Sequence, residues 1–396
     1  MRIDLLGANL SSNAYGRTYL LGQVLARRHR VRVIGPTFGE GIWPPGDDGS
    51  LEVRAFPGGR FPAFKRTMAA MAEAVDADLV IAVKPRPASL GTARLARRRL
   101  GIPILLDIDD WDLAGVYGLG RLGALAREVL RLRDPYSNLY LRLLTRGLGP
   151  DRPLNPGRET RRPDALTVVS GALRRRFGGV LLPHGRDTDA LDPALHDGSD
   201  GRARLGIAPA VPLVLFLGTP RPHKGLEPLA AAVASLDDLG AVLAIVGAPP
   251  GDPWCQGLTR AHPRAVRLYP PQPWSLLGPT LAAADAVALP QARLPFTEAQ
   301  VPAKVYDAMA MARPIAASAV GDLPEILDEG AAGLLVPPGD TPALAAALRS
   351  LLTDRALAEN LGAAARRRAV ERYSYAAMER VLEGVFAQIL PQERES

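Results

Sequence analysis

Leu213-Val214-Leu215-Phe216-Leu217-Gly218-Thr219-Pro220-Arg221-Pro222-His223-Lys224-Gly225 is the stretch on which the reading of this chain turns. An apolar run closed by a glycine predicts a strand over Leu213–Gly218, buried on both faces. The loop Gly218–Gly225 carries Arg221 and Lys224, and a helix is expected from about Leu226. A strand that passes through a glycine loop into a helix is part of a βαβ unit. Such units build parallel sheets covered by helices.

The same alternation continues on both sides. Towards the C-terminus, strands are expected at Ala241–Gly247, Ala286–Leu289, Pro314–Ser318 and Gly333–Val336, followed by helix from Ala343 to Ile389. Towards the N-terminus, the expected strands are Ile3–Gly7, Val31–Gly35, Asp78–Val83, Ile104–Ile108 and Ala165–Val169, with a helix over Arg17–Arg28. Between the two sets lies Asp187–Arg204, polar, rich in turn formers and without a strand signal. The expectation is an α/β protein with two Rossmann-like sheets in tandem: domains at residues 1–190 and 191–375, and a helix at 376–396 packing back toward the first. The length, 396 residues, suits two domains of about 180 residues each.

Composition excludes several classes. Hydrophobic residues make up 47% and charged residues 22%, as in a soluble globular protein. The single Cys255 rules out a disulfide framework and fits a reducing compartment. No run of about 18 apolar residues suggests a membrane span, and the start, Met1 to Gly7, reads as a strand rather than a signal peptide. A cytoplasmic protein is therefore expected. The formal net charge is +7, carried almost wholly by arginine; Lys65, Lys84, Lys224 and Lys304 are the only lysines. A basic surface attracts phosphates, nucleic acid or anionic lipid. Gly120–Gly149 reads as helix broken near Pro135, with six arginines among its leucines. That pattern suits either a solvated arginine face or peripheral contact with an anionic membrane. The five histidines, His29, His184, His196, His223 and His262, show no helical pairing, so a zinc site is not expected. There is no Gly-x-Ser-x-Gly elbow, no P-loop, and no Gly-x-Gly-x-x-Gly after Leu5-Leu6 for a dinucleotide.

Three C-terminal segments carry chemistry. The loop Gly218–Gly225 offers a diphosphate a planar fork in Arg221, a point charge in Lys224, glycines for close approach and a helix start; a solvated basic turn is the alternative. In Pro302–Pro314, Asp307 sits one turn inside a short helix. A carboxylate there is either a dipole partner or an acceptor for two ribose hydroxyls. The third segment is Gly321-Asp322-Leu323-Pro324-Glu325, followed by Gly333–Asp340 before a helix. In the N-terminal half, Gly7–Gly16 is a strand-to-helix loop, either an ordinary connection or one whose Gly16 and Arg17 face a phosphate. Asp107-Ile108-Asp109-Asp110-Trp111 follows a buried strand. Its carboxylates suit a metal, an acceptor hydroxyl or a base, and Trp111 suits sugar stacking or core packing.

Together the three C-terminal segments resemble retaining glycosyltransferase family four, of the GT-B fold. Leu352-Thr353-Asp354 and Tyr373-Ser374-Tyr375 are similar to that family's late helices and return crossing. Leu166–Ser170 and Leu182-Pro183-His184-Gly185-Arg186-Asp187-Thr188-Asp189 are similar to the end of its first domain, with His184 where the family usually has asparagine. The resemblance is dense in the C-terminal half and loose in the N-terminal half. It implies two Rossmann-like domains facing across a cleft, the first taking the acceptor and the second a nucleotide-diphosphate sugar. Gly16, Arg17, Gly218, Arg221, Lys224, Lys304 and Asp307 would bind the donor, with Asp307 in place of the ribose-binding glutamate. Asp109, Asp110, Trp111 and His184 would lie on the acceptor side. The family's first paired glutamate falls on Ala299, so Glu298 is carried over only as a candidate for the sugar hydroxyls.

The implied reaction is transfer with retention to a small-molecule, glycan or lipid-linked acceptor, without cofactor or essential metal and without nucleic acid. Arg221 and Lys224 would stabilise the leaving diphosphate, and Asp109, Asp110 and Glu298 are the other catalytic candidates. Two rivals stand beside it: a catalytically silent nucleotide-sugar-binding partner of another transferase, favoured by the displaced glutamate, and a sugar-nucleotide epimerase.

Overall fold

The computed structural model describes residues 1–110, 131–150 and 162–390. The chain forms two compact units, Met1–His184 with Met378–Ser396, and Gly185–Ala377.

The first unit is built on seven strands: β1 (Arg2–Leu6), β2 (Arg30–Thr37), β3 (Glu52–Pro57), β4 (Leu79–Val83), β5 (Ile104–Ile108), β6 (Ala165–Val168) and β7 (Val180–Leu181). They run in the order β3-β2-β1-β4-β5-β6-β7, every pairing parallel. Strands β4 and β5 are buried along their whole length, as LVIAV and ILLDI demand of strands covered on both faces. The C-terminal helix, Tyr375–Ile389, joins this unit from Met378 onward. Arg27 Nε meets Glu379 at 2.6 Å, and Phe386 packs edge-on to His29.

The second unit holds β8 (Leu213–Leu217), β9 (Val242–Val246), β10 (Val266–Tyr269), β11 (Ala286–Leu289), β12 (Ile315–Ser318) and β13 (Leu334–Val336). Their order is β10-β9-β8-β11-β12-β13, again all parallel. The period-two direction of side chains divides β8 cleanly. Leu213 and Leu215 enter one core cluster, and Val214 and Phe216 the cluster on the other face. In both sheets the strand order reverses beside the first strand, at β1/β4 and at β8/β11. Loops at the carboxyl ends of strands diverge there and leave room for a ligand.

The structure departs from the sequence expectation in places with a physical cause. Strands β3 and β10 are sheet edges, β3 with four exposed residues and β10 exposing Arg267, so neither carries a continuous apolar run. The polar stretch 187–204 is no linker. The second unit begins at Gly185, and Gly198–Leu205 is a helix capped by Asp197. Its glycines are there for contact: a Cβ on Gly201 would stand 2.1 Å from the Pro279 carbonyl oxygen. Of the arginine-rich segment 120–149, residues 120–130 lie outside the described residues; beyond them, Asn138–Leu144 is helical. No helix among the described residues is long and apolar enough to cross a membrane.

Candidate functional site

At the second unit's reversal point, β8 runs out at Leu217 and Gly218 turns the chain with φ +111°. Pro222–Lys224 makes one 3-10 turn, and Gly225 (φ +69°) opens the helix Leu226–Ala234. Gly225 admits no side chain, because a Cβ would stand 1.8 Å from the Pro290 carbonyl oxygen. The Ala292 N–H donates to the His223 carbonyl at 2.9 Å. The loop after β8 is thereby joined to the loop after β11, which leads to Lys304 and its helix, Lys304–Ala310.

Four cationic or titratable side chains collect here. Arg221 is exposed, and no hydrogen bond or ion pair engages its guanidinium among the described residues. Lys224 Nζ donates to the Thr219 carbonyl at 2.6 Å. Burial, and then the neighbouring Arg221, push its pKa down to about 8. His223 is lowered as well, by burial first and then by Lys224, Arg221 and Lys304. The Lys304 ammonium is buried without a hydrogen-bond partner, 3.6 Å from the centre of the Phe216 ring. Burial and then Lys224 hold it well below the ordinary lysine range, against the pull of Asp307. A Cβ on Gly218 would stand 3.2 Å from this Nζ. Like charges around a glycine turn, with no carboxylate ion-paired to Arg221, Lys224 or Lys304 among the described residues, form a site that a polyanion would relieve.

Glu298 and Asp307 are both engaged. Glu298 accepts the Gly321 N–H at 3.0 Å and meets Arg293 Nε at 3.1 Å. Arg293 also donates to the Ala319 carbonyl at 2.7 Å, so this pair ties the loop after β11 to the turn after β12. Ala299, at the position of the resembled family's first glutamate, is buried. Asp307 pairs with Arg186, which also donates to the Ala303 carbonyl at 3.0 Å. Arg186 is anchored by its backbone, its N–H donating to Tyr373 O and its carbonyl accepting from Tyr375 N.

In the first unit Arg17 takes a role other than facing a phosphate, because its guanidinium is buried. Its Nε and Nη2 donate to Asp107 at 2.9 and 2.8 Å, Nη2 also to the Leu182 carbonyl at 2.9 Å and Nη1 to the Pro183 carbonyl at 3.2 Å. An arginine so buried needs a carboxylate, and Asp107, also bonded to Thr167 Oγ1, supplies it. Gly16 begins the helix Gly16–Ala26, with Trp43 at ordinary contact distance from where its Cβ would be. Asp109 is paired to Lys84 at 2.8 Å. Asp110 and His184 are half-buried, and Trp111 lies outside the described residues.

Three residues of these sites had no role in the sequence reading. Lys84 holds Asp109 from a left-handed backbone (φ +66°) at the end of β4, and its rarity as a lysine was the one available signal. Arg186 and Phe216 lay inside quoted segments, yet their partners are far away in sequence.

Residues 211–354, which contain the whole cation cluster, match the family described as Glycosyl transferases group 1. The second unit resembles a group 1 glycosyltransferase. D-inositol 3-phosphate glycosyltransferase of Nocardia farcinica is 34% identical over 212 residues, 50% of this chain and 44% of that protein. The enzyme of the same name from Jonesia denitrificans is 32% identical over 203 residues, covering 48% of this chain and 46% of its own. The match thus spans less than half the length of these relatives. Among solved structures, HepE of Anabaena in complex with UDP and glucose aligns over 98% of this chain and 100% of its own at TM-score 0.71 and 18% identity. Sucrose-phosphate synthase of Thermosynechococcus elongatus aligns over 98% of both chains at TM-score 0.68 and 21% identity. These neighbours and the two parallel sheets establish the GT-B type of α/β fold.

Proposed function

We propose that this chain is a retaining, metal-independent, hexosyltransferase-like enzyme that moves a sugar from a nucleotide-diphosphate sugar to an acceptor hydroxyl. The observation that carries this is the unneutralised cluster of Arg221, Lys224 and Lys304 around Gly218, inside the stretch that matches Glycosyl transferases group 1. The UDP and glucose in complex with HepE, a protein of the same fold, support a donor of this class.

Arg221 and Lys224 hold the diphosphate and oppose the charge that grows on it as the bond to the anomeric carbon breaks. Asp307 receives the ribose while paired to Arg186, using the acceptor capacity that a carboxylate retains. The leaving phosphate helps deprotonate the acceptor, so no protein nucleophile is needed. The first unit takes a small-molecule, glycan or lipid-linked acceptor, with Asp109 oriented by Lys84 on that side. The protein acts in the cytoplasm, and the arginines of 120–149 suit a solvated face ahead of contact with an anionic membrane; equal sedimentation with neutral and anionic vesicles, or none with either, removes that contact. The test of function is turnover of radiolabelled UDP-, GDP- and dTDP-sugars by the purified protein. Release of nucleoside diphosphate together with a glycosylated acceptor is the expected result.

One observation favours a second reading. Ala299 replaces the family's first glutamate, and Glu298 is spent on Gly321 and Arg293. A protein that binds a nucleotide sugar for another transferase would tolerate this. It would bind the donor with full affinity and turn over none of it with any acceptor.

A further inference from the structure

Lys304 differs from the other cations of the loop site. Arg221 is exposed to water and Lys224 has the Thr219 carbonyl, but Lys304 Nζ is buried with no hydrogen-bond partner. A buried ammonium in that state is costly, and neutral amine is the cheaper form. The surroundings nevertheless aim it at the turn. Phe216, on β8, lies under it with its ring face. Gly218 leaves open the space a Cβ would fill 3.2 Å from Nζ. Arg186 holds the carbonyl of Ala303 and the carboxylate of Asp307, on either side of Lys304 in the chain, so the helix start is clamped. The charged groups acting on Nζ are Lys224 from the loop, which repels its proton, and Asp307 from its own helix, which attracts it.

We propose that Lys304 is a third phosphate-contacting cation of the Gly218–Gly225 loop, and that a proton from solvent enters the protein at its Nζ when a nucleoside diphosphate binds. Resting on the donor-site reading above, this adds a regulation to that site. The neutral amine gains a proton and an anionic partner together, and loses both when the nucleotide leaves. Nucleotide affinity is then coupled to pH through a group that makes no ion pair among the described residues of the free protein. His223 and Lys224, in the same loop, are the other groups able to take up a proton there, Lys224 only a minor fraction at pH 7.5.

The experiment is titration calorimetry at pH 7.5 with UDP, GDP, dTDP and ADP, using whichever binds tightest. Binding heats in two buffers of different ionisation enthalpy give the number of protons taken up. The wild-type protein is expected to take up a large fraction of one proton. Lys304→Met should bind at least about tenfold more weakly, as a lost charged hydrogen bond implies, and keep only the minor fraction of uptake that Lys224 supplies. Its melting temperature should not fall, because a buried unpaired amine has been removed; Lys304→Gln serves as a second variant. His223→Asn should keep the uptake. Wild-type affinity and uptake in Lys304→Met, or loss of uptake only in His223→Asn, overturns the proposal. Binding lost in Arg221→Ala but intact in Lys304→Met keeps the donor site and removes Lys304 from it. Absence of binding by all four nucleotides removes both.

Discussion

Arg186 and Asp307 form an ion pair inside the second unit, with side chains 18% and 10% exposed. Arg186 is bonded through its backbone to Tyr373 and Tyr375, so the pair fastens the helix Lys304–Ala310 to the junction between the helices Arg355–Arg372 and Tyr375–Ile389. Breaking a largely buried pair leaves an uncompensated charge. Asp307→Asn is therefore expected to cost about 2 kcal/mol in urea unfolding, less than a fully dry pair because both groups keep some water. Arg186→Met and the double mutant complete a cycle whose coupling should exceed about 1 kcal/mol. A coupling near zero means that the pair holds nothing in place.

Arg221 and Lys224 stand in one loop, three positions apart, with no carboxylate ion-paired to either among the described residues. Arg221→Ala or Lys224→Ala is expected to lower kcat/KM by about tenfold to a hundredfold. The melting temperature should barely move, since neither group makes an ion pair among the described residues. Arg221→Lys should also lose activity, because a point charge does not replace the planar fork. Folded single mutants with near-normal turnover would take the diphosphate out of this loop.

The Lys224 amine, held at about 8 by burial and by Arg221, sets a second pH response. A bound polyanion raises that value, so below pH 8 the charge is already present and this group leaves affinity unchanged. Above pH 8 the free protein loses the proton that the complex retains. The Kd should then rise towards tenfold per pH unit until the complex titrates too. Nucleotide titrations from pH 7 to 9.5 read this directly. Lys224→Arg should remove the extra steepening above pH 8 and leave the slope that Lys304 gives on both sides of it; an equal steepening in that variant assigns the titration elsewhere.

Activity is expected to persist in excess EDTA, because in the proposed donor site Arg221 and Lys224 would take the place of a divalent ion at the diphosphate. Loss of turnover on chelation, with recovery on Mg²⁺ or Mn²⁺, would make Asp107, Asp109 and Asp110 metal-ligand candidates. Asp107 is the least suited of these, since Arg17 and Thr167 already occupy its oxygens.

Much of the architecture was legible along the chain. Strands such as Leu213–Leu217 and Leu79–Val83 are continuous apolar runs bounded by turn formers, because a strand covered on both faces must be apolar throughout. The edge strands Glu52–Pro57 and Val266–Tyr269 escaped because one face meets water and the run is broken. The site loop was legible for a related reason: glycine and proline punctuate it, and its cations are consecutive with that punctuation.

By itself the sequence determined the α/β class, the tandem sheets and the loop that carries Arg221 and Lys224, since backbone propensity and period-two burial act over a few residues. Tertiary structure alone decided which charges are free. Arg17, Asp107 and Asp307 look as available in the chain as Arg221 does. Folding gives Arg17 to Asp107, 90 positions away, and Asp307 to Arg186, 121 positions away. It also carries Lys304 under Gly218 and against Phe216, where its Nζ has no hydrogen-bond partner. A charge acquires its cost and its use from the dielectric and the partners around it, and those are set by chain segments that no local pattern of residues brings together.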